Sequence, residues 1–63
     1  MLIRKHYHGE DSAYDVIFNS FDEVKQAYLK HGETENWIDC FIGILQRQKK
    51  ASDRFAEYAI ESE

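Results

Sequence analysis

The fold of this chain is decided by residues 35–61, whose sequence is ENWIDCFIGILQRQKKASDRFAEYAIE. Mostly apolar side chains recur here at alternating intervals of four and three residues, the heptad spacing of a helix that buries one face. The phase continues through the polar residues 46–50, and neither proline nor glycine interrupts residues 44–63. This pattern predicts one helix over residues 35–61, about 40 Å long at a rise of about 1.5 Å per residue. A break is the alternative, because Ser52 and Asp53 could cap a separate last helix.

The first half of this predicted helix is apolar on nearly all sides, since only Asp39 and Gly43 interrupt its apolar residues between positions 37 and 45. A helix of that kind requires burial on more than one side. The chain has 63 residues and one cysteine, so neither a large core nor an internal disulfide supports it. We therefore expect a homodimer. Its expected interface follows the heptad positions Trp37, Phe41, Ile44, Gln48, Phe55 and Tyr58.

A shorter helix is indicated at residues 21–31. Residues 20–23, Ser-Phe-Asp-Glu, fit a capping box, in which the Ser20 hydroxyl accepts a hydrogen bond from the Glu23 amide. At the other end, Lys30, His31 and Gly32 are typical of a cationic last turn followed by a glycine cap. The apolar stripe of this helix is formed by Phe21, Val24, Ala27 and Tyr28. Thr34 or Asn36 could cap the long helix that follows.

Alternation of side chains predicts two strands, at residues 2–8 and 13–19. In the first strand Ile3, Lys5 and Tyr7 share one face. The connecting residues 9–12, Gly-Glu-Asp-Ser, favour a turn, so the strands should form an antiparallel hairpin over residues 2–19. The sequence therefore predicts a single small α+β domain over residues 1–63. In it an N-terminal β-hairpin precedes two α-helices, of which the second is long and either straight or bent.

Composition argues against several classes of protein. The longest unbroken apolar runs, such as residues 40–42, have three residues, far short of the roughly 20 residues that span a bilayer. No apolar segment typical of a secretory signal follows Arg4 and Lys5. Hydrophobic residues make up 43% of the chain, which is too many for a disordered protein. We expect a cytoplasmic protein that does not associate with membranes.

Residues that could perform chemistry are few. His6 and His8 would share a strand face and could hold a metal with Glu10 or Asp11, but two histidines are more often part of a solvated hairpin face. Cys40 lies in an apolar run, which favours burial over nucleophilic catalysis. No nucleophile elbow or glycine-rich phosphate loop is present. The expectation is a protein that is not an enzyme and that needs no cofactor and no metal.

The formal net charge of −4 is unevenly distributed. Acidic residues predominate in the first two thirds of the chain, where they could present a negative face to a partner protein, next to large aromatic anchors. The partner-binding residues predicted on this basis are Asp22, Glu23, Glu33, Glu35, Trp37 and Phe41. The preferred hypothesis is a small acidic regulatory protein that acts as an inhibitor or adaptor through protein–protein interaction.

The alternative function is nucleic-acid binding. Residues 40–52 contain basic side chains and no acid, and on a helix Arg47, Lys50 and Arg54 would share one face. The residues predicted to contact phosphates are Arg47, Lys49, Lys50 and Arg54. The negative charge of the remaining surface disfavours this alternative.

Overall fold

The computed structural model describes all residues, 1–63, and has the element order β-β-α-α-β-β. Its elements are β1 (Leu2–Tyr7), a 3-10 turn (Ser12–Tyr14), β2 (Val16–Phe18), α1 (Phe21–Lys30), α2 (Glu35–Gln48), β3 (Lys50–Ser52) and β4 (Ala56–Ser62). The expected α+β class is confirmed. The order of the elements differs from the prediction, because the chain ends in two strands.

The four strands form one antiparallel sheet in the order β2-β1-β4-β3. The first and last strands of the chain, β1 and β4, lie in its centre and are matched over six residue pairs. The edge strands β2 and β3 are matched over three residue pairs each. The sheet is therefore two hairpins joined by a pairing between the two ends of the chain.

Both helices pack on the same face of this sheet. On that inner face, Ile3 lies opposite Phe18 of β2 and opposite Ile60 of β4. The fully or nearly buried side chains form one core: Ile3, Phe18, Val24, Tyr28, Ile38, Phe41, Leu45, Ala56 and Tyr58. The outer face carries polar side chains such as Arg4, His6 and Glu57, and no helix covers it.

The N-terminal hairpin and the first helix are confirmed. The strands are shorter than predicted because residues 12–14 form a 3-10 turn, begun by the Asp11 carboxylate, which accepts a hydrogen bond from the Ala13 amide at 2.8 Å. Ser20 Oγ accepts from the Glu23 amide at 3.2 Å, as a capping box requires. The Glu23 carboxylate accepts from the Asn19 amide at 3.0 Å. The helix ends one residue earlier than predicted.

The prediction of one helix over residues 35–61 is wrong. Helix α2 begins after Thr34, whose hydroxyl accepts from the Trp37 amide at 3.2 Å, and it ends at Gln48. Lys49 then adopts the left-handed conformation with φ 64°. Neither a longer helix nor a second helix capped by Ser52 and Asp53 exists, because these residues belong to the β3–β4 hairpin.

The heptad spacing misled because residues 56–60 fit two periods. Tyr58 continues the heptad spacing, but it also alternates with Ala56 and Ile60 at the period of a strand. The alternating set faces the core when β4 pairs with β1. That pairing joins opposite ends of the chain, so a local pattern could not reveal it.

The dimer was expected because the second helix required burial on more than one side, and that reason is wrong. Phe41 and Tyr58, two of the six predicted interface residues, are buried within one chain, with ring centroids 5.1 Å apart. The sheet and α1 cover the apolar side of α2, so this helix does not need a second copy for burial there. Cys40, expected to be buried, is exposed on the opposite side of α2. With 10 and 14 residues, α1 and α2 are both too short to span a bilayer.

Candidate functional site

A pocket of about 550 Å³ lies where the α1–α2 loop meets the β3–β4 turn. It is lined by Lys5, Tyr7, Tyr28, His31, Glu33, Trp37, Asp53, Arg54 and Phe55. We call it the aromatic pocket, because two tyrosines, a tryptophan and a phenylalanine line it. Its walls come from four separate parts of the chain, so the pocket exists only in the folded protein.

Trp37 and Phe55 form the exposed walls of the aromatic pocket. The Trp37 ring stacks on the Phe41 ring, with centroids 5.2 Å apart, and meets the edge of the Tyr28 ring at 5.0 Å. Trp37 is nevertheless 38% exposed, and Phe55 is 68% exposed. A chain of 63 residues buries only a small core, so its large apolar side chains are expected to be inside it. Trp37 and Phe55 thus place two exposed aromatic side chains beside one cavity, which is typical of a binding surface.

Lys5 is the cationic group of the aromatic pocket. It lies on the inner face of the central strand β1, opposite Val16 and Tyr58. Its Nζ is 4.7 Å from the centre of the Tyr7 ring and 5.6 Å from that of Tyr58. The chain contains six ion pairs, and none of them includes Lys5. The pocket thus holds an ammonium group that contacts aromatic rings and has no carboxylate within ion-pair distance.

Lys5 keeps its positive charge in the aromatic pocket. Partial burial alone would lower the pKa of the Lys5 ammonium, but the adjacent Tyr58 and Tyr7 side chains outweigh that effect and raise the pKa above its usual value. Lys5 is therefore protonated at neutral pH. A cation partly removed from water attracts an anion more strongly than an exposed cation does.

Asp53, the nearest acid in the turn, is already occupied by hydrogen bonds. Its Oδ1 accepts from the amides of Phe55 and Ala56 at 2.7 and 2.8 Å, and its Oδ2 accepts from the Tyr28 hydroxyl at 2.5 Å. Burial would raise the pKa of Asp53, but these hydrogen bonds, together with the charge of Lys5, keep the pKa below its usual value. Burial and the same carboxylate raise the pKa of Tyr28 far above its usual range.

The predicted acidic partner surface is divided among separate roles. Glu33 lines the aromatic pocket, whereas Glu35 lies 3.5 Å from Lys25. The Glu23 carboxylate caps α1, and Asp22 is exposed in its first turn. Of the predicted aromatic anchors, Trp37 lines the pocket, and Phe41 lies buried beneath it.

The predicted basic face does not form. Arg47 lies in the last turn of α2, Lys49 is the left-handed residue after it, and Lys50 is in β3. Arg54 lies in the β3–β4 turn and lines the aromatic pocket. Since only Arg47 belongs to a helix, the helical spacing that suggested a phosphate-binding row is absent.

A polar network on the outer face was not predicted. Asp15 Oδ1 lies 2.7 Å from His6 Nδ1, and Arg4 lies 3.4 Å from the other oxygen of Asp15 and 2.8 Å from Glu61. His8 Nε2 is 3.4 Å from the carbonyl oxygen of Asp53, away from this network. No group of three or more histidine, cysteine or acidic side chains is placed to hold a metal ion.

The sequence identified part of the aromatic pocket. Trp37 and Glu33 were predicted to bind a partner, Arg54 to bind phosphate and Phe55 to form a dimer interface. Lys5 was missed. The sequence feature that could have identified it is its position between Ile3 and Tyr7 on the apolar face of a predicted strand. Lysine is rare at such positions.

The chain matches no family model, no curated protein and no solved structure. The geometry of the pocket therefore carries the functional proposal.

Proposed function

We propose that this protein is a non-catalytic binding protein whose aromatic pocket holds a segment of a partner protein. The segment presents a carboxylate, from a side chain or a chain terminus, next to an apolar side chain. The observation that carries the proposal is the Lys5 ammonium, which lies among aromatic rings with no acidic partner within ion-pair distance.

The carboxylate is inferred from the charges that remain free in the pocket. Asp53 accepts three hydrogen bonds, so its charge is largely satisfied within the chain. Lys5, Arg54 and the exposed Glu33 take part in no ion pair, so two unpaired cations and one unpaired acid line the pocket. Lysine and arginine are the natural partners of a carboxylate, and their hydrogen bonds to one are stronger than those between neutral groups.

The apolar side chain is inferred from the exposed walls. Trp37 and Phe55 lose contact with water when an apolar group enters between them. Tryptophan, tyrosine and arginine are the residues most often found at the energetic centre of protein interfaces, and the pocket contains all three. Their combination with Lys5 favours a protein segment over a purely anionic ligand.

Selection from a library of displayed peptides tests the proposal, with both internal segments and free C-termini represented. Trp37 is the only tryptophan, so its fluorescence reports binding at the pocket directly. We expect selected peptides to carry an acidic group next to a large apolar residue and to change the Trp37 emission. The Lys5→Met variant keeps the length of the side chain without its charge and should weaken binding about tenfold or more.

The matched control is Ile17→Ala, which removes an exposed apolar side chain on the outer face of β2, away from the pocket. It should bind the selected peptides as the unchanged protein does. The proposal is wrong if no peptide is enriched, or if Lys5→Met and Ile17→Ala bind the peptides equally well.

A further inference from the structure

The edge of the sheet at β3 is open, and its backbone groups are arranged for a further strand. The carbonyl of Lys49 accepts from the Ile60 amide at 2.9 Å, and the Asp53 amide donates to the Ala56 carbonyl at 2.9 Å. Because antiparallel pairing alternates along a strand, Ala51 between them also bonds to β4. The N–H and C=O groups of Lys50 and Ser52 therefore face away from the sheet.

We propose that a second copy of this chain pairs with the β3 edge, so that two four-stranded sheets become one sheet of eight strands. The two β3 strands run antiparallel about a two-fold axis at Ala51. Lys50 of each copy then lies opposite Ser52 of the other. Both residues present their free N–H and C=O groups in this register, so the pairing forms four backbone hydrogen bonds without disturbing β4.

The inner side of this edge supports the two-fold register. Ala51 faces the helices next to Ile44 and Gln48 of α2, in one depression along the edge. Ile44 is 37% exposed there, although its helix is otherwise packed on its apolar side. A small side chain at the axis leaves room for Ile44 of each copy to cover the other. Burial of two isoleucines adds an apolar contact to the backbone pairing.

Charge complementarity on the outer side identifies the occupant as a second copy. Lys50 and Glu57 both face outward, and neither takes part in any of the six ion pairs of the chain. Ser52 lies beside Glu57 in the sheet. In the proposed register Lys50 extends over the short Ser52 side chain of the other copy towards its Glu57. The two-fold axis creates this pair twice, which a strand of unrelated sequence would not do.

A lysine in a short edge strand is also a common means of preventing such pairing. The experiment separates the two roles. Sedimentation equilibrium of the full chain, from about 1 to 100 μM, should give twice the mass of one chain at the upper concentrations. A single-chain mass at all concentrations overturns the proposal.

Variants test the register. Ser52→Pro removes an N–H group that points away from β4, so the fold should survive while dimerisation weakens at least about tenfold. Lys50→Glu should also weaken the dimer, and Lys50→Glu combined with Glu57→Lys should restore it. Circular dichroism confirms that each variant remains folded. If Ser52→Pro proves unfolded, the charge exchange decides alone.

The matched control is Ile17→Glu, which places a charge at the opposite edge strand, β2. This variant should dimerise as the unchanged protein does. If Ile17→Glu abolishes the dimer while Lys50→Glu leaves it intact, the copies meet at the other edge and the inference fails. Peptide binding in the aromatic pocket is measured separately, so either proposal can fail without the other.

Discussion

The two hairpins of this protein show how differently the same structure can be encoded. The β1–β2 and β3–β4 hairpins each match three residue pairs in antiparallel register. The first has alternating strands and a loop with glycine, aspartate and serine, and its sequence predicted it. The second has a turn without glycine, and its sequence predicted a helix. A glycine-containing loop therefore predicts a hairpin from the sequence, whereas a hairpin whose turn lacks glycine can be missed.

The β3–β4 turn depends on one side chain in place of a glycine. Asp53 accepts hydrogen bonds from two amides of the turn and from Tyr28 of α1. Asp11, the corresponding residue of the first hairpin, accepts only from the Ala13 amide. The second turn is thus fixed partly by a helix that lies elsewhere in the sequence.

The hairpins also differ in their contribution to the core. Each hairpin supplies two buried side chains, but Ile3 and Phe18 of the first come one from each strand, whereas Ala56 and Tyr58 of the second both come from the central strand β4. Tyr58 contacts the rings of Phe18, Tyr28 and Phe41. The hairpin that the sequence did not predict therefore supplies the aromatic ring that contacts both helices and the edge strand β2.

Truncation of the core aromatic side chains should give the largest difference between the hairpins. Tyr58→Ala removes a side chain with 2% exposure from the central strand, and we expect a loss of about 4–5 kcal/mol in the free energy of unfolding. A domain of this size has about 3–9 kcal/mol in total, so this loss is about half or more of its free energy of unfolding. Phe18→Ala, at the edge and 9% exposed, should cost about 3 kcal/mol. Urea unfolding followed by circular dichroism measures both, and equal losses would contradict the comparison.

Removal of the two turn carboxylates should give the next largest difference. Asp53→Ala leaves the Tyr28 hydroxyl and two amides without their acceptor and should cost about 2 kcal/mol at pH 7. Asp11→Ala removes one exposed hydrogen bond and should cost about 1 kcal/mol or less. The same unfolding measurement applies. An equal cost for the two variants would show that Asp53 does not join the turn to α1.

The effect of Asp53 should depend on pH. Its pKa is lower in the folded chain than in the unfolded chain, so its contribution is fully present above the usual aspartate pKa, near 3.9. The contribution is lost as the pH falls through the folded-state pKa. The stability gap between Asp53→Ala and the unchanged protein should therefore narrow below about pH 4. A gap that stays constant from pH 7 to pH 3 would contradict this assignment.

Two left-handed residues should give the smallest effects, with opposite signs. Lys49 precedes β3 with φ 64°, and Lys49→Gly should relieve strain and stabilise the protein by about 0.5–1 kcal/mol. Gly9 follows β1 with φ 78°, and Gly9→Ala should cost about 1 kcal/mol although its added Cβ meets no atom within 4 Å. The melting temperature should rise by roughly 4 °C for Lys49→Gly and fall for Gly9→Ala. Changes of the same sign would show that strain at Lys49 is negligible.

The candidate site, like the two hairpins, has one part that the sequence predicted and one part that it did not. The exposed aromatic residues and charges could be selected from the sequence one at a time, and Trp37 was. Their assembly into a pocket depends on the β3–β4 turn reaching the α1–α2 loop, which requires β4 to pair with β1. The aromatic surroundings of Lys5 depend on the same strand pairing, because Tyr58 of β4 lies opposite it.

The sequence by itself determined the features that act over a few residues. These are the β1–β2 hairpin and the capped start and end of α1, since each depends on hydrogen bonds or an alternation within at most about 15 residues. The tertiary structure alone decided the end of α2 and the nature of residues 50–62. The sequence of these residues fits both the period of a helix and that of a strand. The pairing with β1, which buries Tyr58, is possible only when they form a strand. Burial of apolar surface across the whole chain outweighed the local heptad spacing.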